Sequence, residues 1–301
     1  MKFYHTIILF FLLSIVSARV DCFSLIPTDR HHHQQSLIRL GLFSFGGSGE
    51  NASVPSTTSA RDKAAIESCK KAIERPRNAD FPLIELEFPV LAALNKLGDG
   101  SLRSAMEAED ANLSFVGKLT KGISVPFPLS FGGSKVSIAL SSSASNSFKA
   151  KAAKITKGTT ILSASSPSLA EDVGSGGICI FVSPTSRGDY NSAQQLARSG
   201  TAKAVVIVNA FAKDPRSIPG DATMAYFLKP LTYNSQVAGY LIRSYPSNWT
   251  VLDATSKAVL GTFSDGEILV QGTNTPDLRA SGRIVQKSVD ERAIAARNSN
   301  K

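Results

Sequence analysis

The chain has 301 residues, of which 43% are hydrophobic and 19% charged, with a formal net charge of +9. That length and hydrophobic share can bury a sizeable core, which excludes a wholly disordered protein. Its three cysteines exclude a disulfide framework. Its four histidines, His5 and His31 to His33, all fall near the amino end, which excludes a Ser-His-Asp triad, a Cys-His pair or a His-ligated metal farther along.

Lys2 precedes Ile7 to Val16, a run that is apolar apart from Ser14. A membrane-spanning helix needs about 20 such residues and a signal-peptide core roughly 7–15. Residues 1–22 therefore predict a signal peptide, with Phe23 first after cleavage. Residues 23–59 hold the His31 to His33 run, many Ser and Thr, and only Asp29 and Glu50 as acids. Such a segment cannot bury enough apolar surface to order itself, and it has the hydroxyl-rich, acid-poor composition of a plastid transit peptide. Signal peptide, leading Phe and transit-like segment together resemble the bipartite plastid leader of diatoms and related algae, with Cys22 where that motif has Ala. The resemblance implies delivery to the plastid, at the stroma or the thylakoid surface. The alternative is secretion. Asn51, Asn112 and Asn248 stand in sequons that would then permit glycosylation, but Cys69 and Cys179 make no disulfide scaffold.

Residues 60–283 suit a single domain. Arg61 to Arg75 predicts an amphipathic helix with Ala65, Ile66, Cys69 and Ile73 inward, stopped by Pro76. Pro82 to Phe88 predicts a strand, Ser101 to Leu119 a helix, Lys135 to Leu140 a strand, and Ser145 to Ile155 a lysine-rich helix. Gly177 to Pro184 and Lys203 to Ala210 are almost wholly apolar, as strands covered on both faces are. Between them, Asp189 to Gly200 predicts a helix with Asp189 as N-cap and Gly200 as its stop. Strand, helix and strand in that span predict a right-handed crossover and parallel pairing. Past Ala210, Met224 to Leu231, Ala238 to Pro246, Trp249 to Ala254 and Lys257 to Phe263 follow closely and predict antiparallel strands. The fold class is α/β: a mostly parallel sheet with flanking helices, Rossmann-like and three-layered, with an antiparallel C-terminal extension. Residues 284–301 predict a polar tail, loose or helical.

Leu83 to Pro89, the unit from Phe181 through Asp189 to Ala210, and Ala225 to Leu252 resemble a plastid domain of unknown function found in plants and algae. Tyr226 to Leu231 and the Tyr245-Pro246-x-x-Trp249 element are its most specific parts. The low-photosystem-II-accumulation assembly factor of plants is a member, and some chloroplast adenylate kinases carry a similar domain as an appendage. The resemblance covers most of residues 60–263. It implies a non-catalytic plastid protein, an accessory or assembly factor for photosynthetic complexes that binds other proteins, thylakoid membrane proteins among them. It carries over no catalytic residue and no cofactor.

Ligands of open α/β sheets bind beyond the carboxyl ends of the strands. That edge points to Pro184 to Asn191 and to Asn209. Arg187, Asp189 and Asn191, with the free amides that open the helix, could hold a phosphate or a sugar. The plainer reading is that Asp189 only caps its helix. This site underlies the alternative function, a nucleotide- or phosphate-ligand-binding protein or enzyme that uses the carboxyl edge, and it rests on fold analogy. Glu85 and Glu87 share one strand face by period two and could act as an acid–base pair or bind a cation. The plainer reading exposes them on an edge strand. The glycines of Val173 to Ile178 precede a strand, so they fail the dinucleotide-binding context. Phe131 to Lys135 lacks phosphate-loop spacing, Gly98 to Ser101 reads as a loop with a helix cap, and Tyr245 and Trp249 read as turn and core.

Charge is the last signal. Lys2, Arg19, Arg30 and Arg39 of the 33 basic residues, and Asp21, Asp29 and Glu50 of the 24 acidic ones, lie in the leader, so residues 60–301 carry +8. Lys149, Lys151, Lys154 and Lys157 concentrate it on or just after one helix. Such a basic face could meet anionic lipid headgroups, giving peripheral membrane contact, or RNA. The missing RNP aromatic motif weighs against nucleic acid, and a solvated helix face is the plainer reading.

Overall fold

The computed structural model describes residues 53–75, 82–89, 105–123, 135–210, 222–270 and 272–299. The expected signal and transit segments through residue 52, the stop at Pro76, and the loops Gly98 to Ser101 and Phe131 to Ser134 lie outside the described residues.

Helix α1 (Thr58–Glu74) opens at Thr57, whose Oγ1 accepts the Ala60 N–H at 3.1 Å, and turns Ala65, Cys69 and Ala72 inward. Strand β1 (Leu83–Glu87), α2 (Ala105–Ile123), β2 (Val136–Leu140), α3 (Asn146–Ile155), β3 (Thr160–Ser163), α4 (Leu169–Val173), β4 (Ile178–Val182), α5 (Arg187–Arg198) and β5 (Ala204–Val208) follow. Four strands come next: β6 (Thr223–Tyr233), β7 (Gln236–Ser244), β8 (Trp249–Asp253) and β9 (Val259–Phe263). Helices α6 (Asp265–Val270) and α7 (Leu278–Ser299) end the described chain.

The strands form one sheet in the order β3-β2-β4-β5-β1-β6-β7-β8-β9. The first six run parallel, and β7, β8 and β9 are antiparallel. The α/β class with its antiparallel C-terminal extension is therefore as expected. Every residue of β2, β4 and β5 is buried, which a strand with helices on both faces requires. Cys179 pairs with Val205 in the sheet interior. The edge strand β3, the single-turn α4 and the short α6 were not anticipated.

Side-chain alternation divides the core. Ile84, Leu86, Phe88, Ile138, Ile180 and Val206 face α1, α2 and α3. Leu83, Cys179, Phe181, Val205 and Ile207 face α4 and α5. On that second side, Met224, Phe227, Leu241, Trp249 and Val251 pack under Ile268 of α6 and Val285 of α7. Trp249 stacks at a tilt on Phe227 with centroids 5.1 Å apart, and Arg243 lies over its ring at 5.3 Å. Asp265 binds the Arg243 guanidinium and accepts the indole N–H at 3.2 Å. The Tyr245-to-Trp249 element is thus the turn between β7 and β8, with a cis peptide before Pro246.

Helix α7 sits close to the sheet because Gly239 has no side chain. A Cβ there would meet Val285 Cγ2 at 2.5 Å and the Leu252 carbonyl at 2.7 Å. Buried Val285 lies past residue 283, so the packed part of the helix extends into the segment read as polar tail, and residues 291–299 are exposed. Arg292 donates to Asp253 at 2.8 Å, fastening α7 to the β8–β9 turn. Burial would raise the Asp253 pKa, but bonds from Arg292, Ser256 and Thr255 outweigh it and bring it to about 2. On the other side of the sheet, Asp62 of α1 holds Arg61 and also Lys118 of α2 at 2.6 Å, while Arg61 donates to the Pro89 carbonyl. No described helix is long and apolar enough to cross a membrane.

Candidate functional site

The carboxyl ends of β4 and β5 stop in the same unusual way. Ser183 and Asn209, one residue past each strand, have φ of 47° and 48°. Left-handed backbone costs an L-residue about 1–2 kcal/mol, and a surrounding network holds it here. Asn112 of α2, wholly buried, donates from Nδ2 to Ser183 Oγ at 2.6 Å. Its Oδ1 accepts from Asn209 Nδ2 at 2.6 Å, and Asn209 Oδ1 accepts the Phe88 N–H at 2.8 Å. The network ties α2 to the ends of β1, β4 and β5. It also buries the amide of one of the three sequons, which closes Asn112 to glycosylation in the folded chain.

Beside it, Asp189 is 2% exposed. The cap of α5 is Ser186, not Asp189 as expected. The Ser186 Oγ accepts the Asp189 N–H at 3.1 Å, and the Asp189 carboxylate accepts the Ser186 N–H at 3.3 Å. The carboxylate also accepts from Ser141 Oγ at 2.7 Å and from the N–H and Oγ of Ser142, each at 3.3 Å. It therefore joins the β2–α3 and β4–α5 loops. Burial would raise its pKa, but bonds from Ser141, Ser186 and Ser142 more than offset that and hold it below the ordinary value.

The third group lies beneath α5. Glu85 is buried on β1, which runs between β5 and β6, so the expected exposed edge strand is corrected to a central one. Tyr190 of α5 donates its phenol proton to Glu85 Oε1, and Asn274 of the α6–α7 connection donates to Oε2 at 3.2 Å. Burial pushes the Tyr190 pKa up, and the Glu85 charge, the bond to Glu85 and the Glu87 charge push it further. Glu87, one pleat along on the same face, is half-buried. Glu85 and Glu87 do share a face, and helix α5 covers it.

The residues expected to bind a ligand at this edge do not all converge. Arg187 is the exposed first residue of α5, and Asn191 is exposed one turn on. Asp189 and Asn209 are buried in two separate networks. On α3, Lys151 is paired with Asp110 of α2 at 2.5 Å. Lys149 and Lys154 are five residues apart, which sets them about 140° apart around the helix. Lys154 and Lys157 line a cavity at the opposite, amino-terminal edge of the sheet. Among the described residues, no group of three or more His, Cys, Asp or Glu is placed to hold a metal ion.

Sequence reasoning missed Asn112, Ser141, Ser183, Ser186, Tyr190 and Asn274. Only Ser186 carried a local signal, the Ser-x-x-Asp spacing of a capping box. A family model described as a domain of unknown function matches residues 60–265. No curated protein matches the chain.

Proposed function

The chain belongs to the DUF1995 family, and from that premise we propose that it is a non-catalytic plastid protein that binds other proteins. Its role is that of an accessory or assembly factor for photosynthetic complexes, and thylakoid membrane proteins are its partners. The observation that carries this reading is the engagement of Asp189. In open α/β sheets the helix amides beyond the strand ends are where a ligand's negative charge sits. Here a carboxylate of the protein itself stands at that edge, bonded to Ser141 and Ser142 of the neighbouring loop and to the N-cap Ser186. This supports an edge that serves the fold rather than turnover. The plastid and its photosynthetic complexes enter through the leader and the resemblance of Leu83 to Leu252.

The test is affinity capture of the tagged full chain from isolated plastids, with the recovered proteins identified by mass spectrometry. Thylakoid membrane proteins should be enriched over a tag-only control. A chain that recovers none of them, or that turns over a nucleotide or phosphate ester, overturns the reading.

A further inference from the structure

We propose that a cavity at the amino-terminal edge of the sheet binds a phosphate-bearing anion. The crossover helices run opposite to their strands, so the last turns of α2 and α3 end beside the first residues of β2 and β3. The space between them measures about 660 Å³, within the range of about 300–1,000 Å³ typical of small-molecule sites. Gly117 of α2 lets α3 approach so closely that a Cβ there would stand 2.6 Å from Ile155 Cγ2. Gly117, Ile155 and Val136 form apolar wall.

Four lysines line this cavity: Lys121 from α2, Lys135 at the start of β2, and Lys154 and Lys157 from the end of α3 and the turn after it. No Asp or Glu is among the described residues that line it. Lysines in a last helical turn ordinarily answer the carbonyl end of the helix dipole, which is worth about half a negative charge. Two such helix ends offset about one of the four positive charges and leave about three. Lys135 donates to the Asp172 carbonyl at 2.9 Å. Lys121, Lys154 and Lys157 make no ion pair among the described residues, whereas Lys151, one turn back on α3, is matched by Asp110. Like charges gathered in one recess repel each other and raise the local concentration of anions. An ammonium binds phosphate as a point charge without bidentate geometry, so several together favour a multiply charged phosphate over a carboxylate. A soluble phosphate ester and a phospholipid headgroup present the same chemistry. The site lies at the edge opposite Asp189 and does not rest on the protein-binding reading.

The test titrates the purified chain with pyrophosphate by calorimetry. In parallel, it floats the chain with phosphatidylcholine vesicles with and without phosphatidylglycerol. The Lys121→Gln/Lys154→Gln/Lys157→Gln variant is compared with Lys149→Gln, which removes an exposed charge outside the cavity. The expected result is binding that weakens about tenfold or more in the triple variant and less than about twofold in Lys149→Gln. Binding of pyrophosphate alone assigns a soluble ligand. Binding only to phosphatidylglycerol vesicles, lost in the triple variant, assigns a headgroup. Equal weakening per charge removed in both variants, or no binding to either probe, overturns the proposal.

Discussion

The phenol of Tyr190 on α5 donates its proton to the carboxylate of Glu85 on β1, inside the protein and across 105 positions of sequence. Tyr190→Phe removes the donor and leaves a buried carboxylate oxygen short of a partner, an expected loss of about 1–3 kcal/mol by urea denaturation. The Tyr190 pKa is raised in the fold, first by burial and then by Glu85. Its contribution is therefore complete below the unfolded value near about 10 and is lost as pH climbs beyond it. Wild type and Tyr190→Phe should converge in stability at strongly alkaline pH. A Tyr190→Phe protein as stable as wild type at neutral pH would contradict this account.

Asp189→Asn is expected to cost about 1–2 kcal/mol at neutral pH, because it removes the negative charge and points an amide donor at Ser141 and Ser142. The folded-state pKa is lowered, so the carboxylate's contribution is present above the unfolded value near about 3.9 and is lost as pH falls below it. The stability gap between variant and wild type should narrow in acid. A gap constant from neutral pH into acid would show that charge is not its source.

Gly239→Ala drives a methyl group into Val285 and the Leu252 carbonyl. Overpacking of this kind costs about 1–3 kcal/mol. Thermal denaturation is the measurement, and hydrogen exchange should show α7 loosened first. Gly266→Ala, where a Cβ meets nothing within 4 Å, serves as the neutral control.

Burial pushes the thiols of Cys69 and Cys179 up to about 12. The thiolate is the reactive species. Both should stay unlabelled by a thiol reagent at mildly alkaline pH until denaturant unfolds the protein. Rapid native labelling of Cys179 would be incompatible with its place between β2 and β5.

Met1 to Ser59 fused to a fluorescent protein is expected to enter the plastid of an alga with a secondary plastid. Phe23→Ala should leave the fusion in the secretory path or around the organelle, as seen by microscopy. Secretion of the unmutated fusion would overturn the plastid reading.

The unit β4–α5–β5 was legible because its strands are solid apolar runs and its helix has one apolar face between turn residues. These are local signals. Asp189 shows where local signals end: a carboxylate at a helix start reads equally well as the cap or as the third residue behind a serine, and Ser141 and Ser142, which bury it, arrive from another loop. Period two rightly put Glu85 and Glu87 on one face. It could not say what covers that face, because β1 becomes central only when β5 and β6 flank it and Asn274 reaches it from the far end of the domain. Asn112 carried no mark at all, since an asparagine buried in a helix differs from a solvated one only by partners distant in sequence. β3 was too short to stand out.

The place of β1 also constrains the order of assembly. β2, β3 and β4 pair among themselves and lie close in sequence, so they can associate as soon as that stretch of chain is available. β1 precedes all of them, yet Leu83 pairs with Val205 and Ile84 with Thr223. Closing those loops requires most of the domain to be present, and the entropy of closure comes due before any pairing offsets it. Until then both edges of β1 are bare, in a strand whose first four residues are destined for the interior. The middle of the finished sheet can close only after both of its late flanking strands exist, and a chain halted before Thr223 would still carry the β6-facing edge of β1 open.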